Sequence, residues 1–133
     1  AFGVRNVPFA FDSDGILYNH ETGTSDNGSA MTSFIETSSL ELEANGNSLF
    51  LMDKIVPDVT LTSDTNIFLT VKTRKYPNDT DTTKGPFTVT STTKKVSTRA
   101  KGRQMAMEIK STGTQDEWLL GDFRINTIQD GLR

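Results

Sequence analysis

The sequence predicts an all-β fold: an antiparallel β-sandwich or a set of propeller-like sheets, with almost no helix. Three observations point that way. Apolar and polar residues alternate in short runs, as where Leu40, Leu42 and Ala44 oppose Glu41 and Glu43, and where Met105, Met107 and Ile109 share a face. That is the period of two expected of a half-buried strand. Segments 87–90 and 95–100 are rich in Thr and Val, whose branched side chains lose χ1 freedom in a helix but fit a pleated surface. No window places apolar residues at i, i+3, i+4 and i+7 as an amphipathic helix would.

Each element follows in order. Residues 1–14 place Val4, Val7, Phe9 and Phe11 around Pro8, which suggests an extended edge segment that donates few ladder hydrogen bonds. Asp14-Gly15 is a turn, 16–20 a short strand, and 21–29 a loop by its Gly, Ser, Thr, Asp and Asn content. Strands are expected at 31–37 and 40–44. Asn45-Gly46-Asn47 then supplies a tight turn into 48–56, giving a predicted hairpin whose second strand, apolar on both faces, lies in the middle of a layer. Pro57-Asp58 ends it. Residues 67–75 alternate again, 76–86 read as a long polar loop and exposed tip, and 87–90, 95–100 and 103–110 are strands, with Gly102 a turn or bulge before the last. The total is about eight to ten strands.

A chain of 133 residues lies in the single-domain range and can bury one core unaided, so 1–133 reads as one all-β module. It has no cysteine, which excludes a disulfide framework and thiolate metal sites. The longest apolar run, 48–56, is broken by Asp53 and Lys54 and falls far short of the roughly 18 residues that span a bilayer. No membrane partner is expected. The chain starts at Ala1 without a basic-then-apolar leader, and reads as a processed product or a piece of a longer polypeptide.

The net charge of -3 hides an asymmetry. Residues 1–66 hold Arg5 and Lys54 against ten acids, whereas 84–110 hold Lys84, Lys94, Lys95, Arg99, Lys101, Arg103 and Lys110 against Glu108 alone. Such a split can mark a nucleic-acid face. No aromatic residue lies between Lys94 and Lys110, however, so the stacking platform of a single-strand binder is missing. Contact between segments of opposite sign, within or between subunits, is the reading preferred.

Candidates for chemistry are few. His20, the only imidazole, sits beside Glu21 with no Gly-x-Ser-x-Gly elbow nearby, and one histidine cannot build a multi-histidine zinc site. Glu41 with Glu43, and Asp12 with Asp14, point the same way about 7 Å apart. Glycosidase pairs usually face each other across a cleft instead. Asp12-x-Asp14-Gly15 and Asp26-Asn27-Gly28 resemble fragments of calcium loops but lack the twelve-residue spacing. Gly113 and Gly121 are turn glycines with no helix following to hold a phosphate. The expectation is no enzyme, no catalytic residue, no metal and no cofactor.

What remains is 99–133, where Arg99, Arg103, Arg124 and Arg133 surround turns together with Gln104 and Trp118. Their planar guanidiniums are suited to gripping carboxylates or stacking on the indole, fixing this end against the module itself or against a neighbouring subunit. The succession Tyr-Asn-His-Glu-Thr-Gly (18–23), Phe-Ile-Glu-Thr (34–37), Val-Pro-Asp-Val (56–59), Gly-Pro-Phe-Thr-Val-Thr (85–90), Arg-Ala-Lys-Gly-Arg-Gln (99–104) and Trp-Leu-Leu-Gly-Asp-Phe-Arg (118–124), closing on Asp-Gly-Leu-Arg, resembles the C-terminal part of tail proteins of short-tailed bacteriophages. These are the nozzle or hub components, sometimes called packaged-DNA stabilisation proteins. The similarity runs over 16–133 and is strongest in 99–133.

The resemblance implies a structural virion protein of the tail, mainly β. It implies a homo-oligomeric ring, typically a hexamer, below the portal and adaptor and beside other tail proteins, lining part of the conduit for DNA ejection. Arg99, Gly102, Arg103, Gln104, Trp118, Gly121, Arg124, Asp130, Gly131 and Arg133 match its closing motif, with a structural and assembly role. Lys101 stands where an arginine is expected, and Leu119-Leu120 where a polar or basic residue is. Members of the family are longer, so this chain corresponds to their end. An acidic protein would let genomic DNA pass without the counterion-release binding of a basic lumen, and a ring would join two different patches by a heterologous contact. The competing reading is a carbohydrate-binding or host-receptor-binding β-sandwich of a tail, for which Trp118, Tyr18 and Tyr76 are the only non-Phe aromatics. A glycan-cleaving enzyme, needing a carboxylate pair across a cleft, is the third.

Overall fold

In the computed structural model, which describes residues 8–42, 47–62 and 65–132, the alternating runs are strands and none of the described residues is helical. The strands are β1 (Phe9–Phe11), β2 (Leu17–Asn19), β3 (Ser33–Glu36), β4 (Leu40–Glu41), β5 (Ser48–Val56), β6 (Val59–Leu61), β7 (Ile67–Arg74), β8 (Thr82–Val89), β9 (Val96–Gly102), β10 (Gln104–Ser111), β11 (Trp118–Leu120) and β12 (Arg124–Leu132). All pairings between them are antiparallel. The all-β expectation holds, with twelve strands among the described residues where the sequence suggested eight to ten.

Two sheets enclose one core. The first runs β3-β10-β7-β8, with β4 continuing the β3 edge along β10; the second runs β12-β5-β9. Leu69, Val71, Met105, Met107 and Ile109 from the first meet Phe50, Met52, Ile55, Val96 and Ala100 from the second in a single buried cluster. β7 shows the pattern most plainly: Ile67, Leu69, Val71 and Thr73 are buried while Phe68, Thr70, Lys72 and Arg74 are half-buried on the other face. The ribbon of β6 and β11 pairs Trp118 with Leu61 and Leu120 with Val59, and these four side chains pack against the core. Leu119, of opposite parity, is 72% exposed.

The apolar residues on both parities of 48–56 have a specific cause. Asp53 is skipped in the pairing with β12, where Asn126 and Thr127 oppose Lys54 and Met52. This bulge shifts the phase, so Phe50 and Met52 before it and Ile55 after it all point into the core. β5 is nonetheless central in its sheet, as expected. Gly102 is buried at the corner where the chain leaves one sheet for the other, and a Cβ there would lie 3.0 Å from the Arg74 carbonyl oxygen. Gly85, at φ +108°, sits in a bulge of β8 where a Cβ would come within 2.7 Å of the Leu69 oxygen.

Two expectations are corrected. β4 does not form a hairpin with β5: it pairs with β10 through Glu41–Gln104 and Leu40–Met105, whereas β5 lies in the opposite layer. A tight hairpin would have placed both in one sheet, whereas they lie in different sheets. Of the predicted turn, Asn45 and Gly46 lie outside the described residues. The loop assigned to 76–86 is strand from Thr82 onward. An edge strand exposed on both faces needs only backbone pairing with β7, so its polar composition carries no strand signal.

Between β3 and β4, Thr37 holds the edge to β10: its N–H donates to the Met107 oxygen at 2.9 Å and its hydroxyl accepts from the Met107 N–H at 3.0 Å. Leu69 is fully buried at the centre of both its sheet and the core. Leu69→Ala is expected to destabilise the fold by about 2–5 kcal/mol, the range for a buried leucine leaving a cavity, read as a lower urea midpoint at unchanged slope.

Candidate functional site

The β7–β10 register places a charged row on the outer face of the first sheet. Gln104 pairs with Glu41 on one side and Arg74 on the other. Its amide accepts from Arg74 Nε at 2.9 Å and donates to Glu41 Oε1 at 3.1 Å. Arg103 donates to the same Glu41 oxygen through Nε at 3.1 Å and Nη2 at 2.7 Å. Further along, Lys72 Nζ bridges Glu36 at 2.8 Å and Glu108 at 3.0 Å. Hydrogen bonds from Arg103, then Gln104, hold the Glu41 carboxyl below its ordinary 4.5; those to Glu36, then Glu108, raise the Lys72 ammonium above its ordinary 10.5.

The closing-motif residues spread over this scaffold. Arg103 and Gln104 join the row just described. Trp118 is half-buried against the core, its indole N–H donating to Ser33 Oγ and Ser111 Oγ, each at 3.1 Å, while those hydroxyls lie 2.9 Å apart. Gly121 donates its N–H to the Asp58 oxygen at 2.7 Å and leaves no room for a Cβ beside Asp58. Asp130 pairs with Lys101 at 2.8 Å, so this lysine has its own carboxylate. Gly131 takes φ +101° within β12. Arg99 and Arg124 are exposed on β9 and β12, and Arg133 lies outside the described residues. The structure brings Arg103 and Gln104 together and leaves Arg99 and Arg124 well apart from them in the sheet order.

The acid candidates resolve into local roles. Asp12 Oδ1 accepts from the N–H groups of Asp14 and Ile16, both at 2.9 Å, closing the β1–β2 turn. Asp26 and Ser29 exchange backbone hydrogen bonds around Asn27-Gly28. Glu41 belongs to Arg103, and Glu43 lies outside the described residues. His20 is exposed just after β2. Among the described residues no three His, Cys, Asp or Glu side chains cluster as metal ligands, and no helix is long and apolar enough to cross a membrane.

One surface was missed by sequence reasoning. β1 and β2 form their own two-stranded sheet, and among the described residues the hydrogen bonds of 8–31 all close within that arm. Phe9, Phe11, Ile16, Leu17 and Met31 on it are each more than half exposed, and Phe34, Ile35 and Leu40 on the adjoining edge are exposed too. The arm encloses an open hollow of about 1100 Å³ lined by Phe11, Leu17, Tyr18, His20 and Met31 among others. Ile35 and Leu40 share parity with Ile109 and Met105, so they belong to the inner face, at the edge of the five-stranded sheet, where they are left exposed. The run of Phe, Ile and Leu before residue 20 shows apolar character in the sequence but not exposure.

No family model matches the sequence, and no match was found among curated proteins.

Glu41 is deprotonated more readily in the folded chain, so its ion pair stabilises the fold above the usual carboxylate range and that support is lost as pH falls through the lowered value. Lys72 behaves oppositely, its support being present below 10.5 and lost as pH rises through the raised value. A carbon-detected NMR titration should place the Glu41 midpoint below 4.5 and move it upward in Arg103→Ala; an unmoved midpoint refutes the assignment to Arg103.

Proposed function

We propose that this chain is a structural, self-assembling β module of a short-tailed phage tail, of the nozzle or hub kind, whose copies join in a ring below the portal and adaptor. One observation carries the assembly part: of the eleven large apolar side chains left exposed among the described residues, eight lie between Phe9 and Leu40. They lie outside the buried core cluster, and monomeric proteins seldom leave apolar side chains grouped in this way open to water. An isolated two-stranded hairpin is at best marginally stable in water. Both facts favour a surface that a neighbour covers.

The resemblance in 99–133 supplies the place of that assembly, the virion tail, and DNA in transit as its passing partner. Glu36, Glu108 and Glu41 pair with Lys72 and Arg103 on the outer sheet face, which reduces the positive charge there available to phosphates. The glycan-binding alternative is weakened by Trp118, whose ring packs inward and whose N–H is already bonded to two serines.

Sedimentation of the full chain over a concentration series, followed by negative-stain imaging, tests the reading. The expected result is concentration-dependent assembly into closed rings, weakened by salt, without a stable complex with duplex DNA at physiological salt. A chain that stays monomeric at its highest soluble concentration in low salt contradicts it.

A further inference from the structure

Charge decides which surface can cover the arm. Residues 8–31 carry Asp12, Asp14, Glu21 and Asp26 and no lysine or arginine. Packing this arm on the same arm of a second copy would bring like charges together, so a two-fold contact of arm on arm is disfavoured. The complementary surface lies at the other end of the first sheet. The arm enters that sheet at β3, and β8 is the opposite edge; β9, the next strand in sequence, is an edge of the second sheet and lies close to β8 across the layers.

That flank is basic. Lys84, Lys94, Lys95 and Arg99 are exposed on β8, the β8–β9 connection and β9, and among the described residues none of them has an ion-pair partner. Lys101 on the same strand is already paired with Asp130. Long Lys and Arg stems also cover aromatic and aliphatic surface while their heads reach carboxylates, which suits an arm bearing both Phe9 and Phe11 and several acids. Gly85, Pro86 and the β8 bulge blunt strand-to-strand addition at this edge, leaving side-chain contact as the mode of docking.

We propose that the acidic, apolar arm of one copy docks on the basic β8–β9 flank of the next, with Asp14, Glu21 and Asp26 facing Lys94, Lys95 and Arg99. The contact joins two different surfaces, so it propagates head to tail and closes by rotation into a ring. It rests on the reading of the chain as a self-assembling subunit and specifies which faces meet.

The test uses three variants of the full chain: an arm variant (Asp14→Lys, Glu21→Lys, Asp26→Lys), a flank variant (Lys94→Glu, Lys95→Glu, Arg99→Glu), and the chain carrying both sets. Sedimentation velocity should show association weakened at least about tenfold in each single set, several reversed charges acting together. Mixing the two single sets should restore association in alternating order, because the acidic arm of the flank variant meets the basic flank of the arm variant while the Lys-bearing arm meets the Glu-bearing flank. The combined variant should recover rings, which also shows that the altered chains fold. Wild-type rings that survive both single sets, or a combined variant that stays dissociated while folded by circular dichroism, overturn the docking while leaving self-assembly intact. A monomeric wild-type chain overturns both.

Discussion

The pairing of β7 with β10 is the constraint on which the rest depends. Seven consecutive residue pairs, from Gln104–Arg74 to Lys110–Phe68, run without a break in register, unlike the bulged pairings of β5 with its two neighbours. One face of this ladder supplies Leu69, Val71, Met105, Met107 and Ile109 to the core; the other aligns Arg74 with Gln104 and brings Lys72 between Glu36 and Glu108. Because side chains alternate, a slip of one residue would bury the charges and expose the core. A single register therefore sets both the hydrophobic stabilisation and the electrostatic pattern.

Around that ladder the edges are finished in different ways. β3 and β4 are held to β10 as one interrupted edge through Thr37 and the Glu41–Arg103 pair. Trp118 fastens the β6–β11 ribbon to Ser33 and Ser111, tying an edge strand, a central strand and the ribbon at one point. On the opposite side, β8 is pinned to β7 but exposed on both faces over most of its length. The sandwich is thus closed by its own side chains on one flank and left charged and open on the other.

How much of this was legible follows from what a period can encode. Met105, Met107 and Ile109, or Ile67, Leu69 and Val71, announce their face because burial on one side leaves polar residues on the other. β8 was hidden because residues 82–86 are exposed on both faces and so have no periodic signal. The β4–β10 pairing was hidden because turn residues argue for local hairpins, and only the sheet assignment reveals that β4 and β5 belong to different sheets. Partners such as Glu41 for Arg103 and Asp130 for Lys101 depend on a register no single segment contains. The exposure of Phe9, Phe11 and Leu17 was invisible for a related reason: sequence shows that a residue is apolar, not whether the fold has anything to put over it.

The central claim is that the sandwich is self-sufficient while the arm of residues 8–31 needs a neighbour. Hydrogen exchange of the backbone amides, measured on the full chain in dilute and in concentrated solution, tests this most directly, since protection reports the free energy of local opening. The account predicts β7 and β10 protected at both concentrations and β1 and β2 protected only in the concentrated, assembled sample. Equal protection of β1 and β2 in the dilute monomer would contradict it, because the arm would then be covered by its own chain.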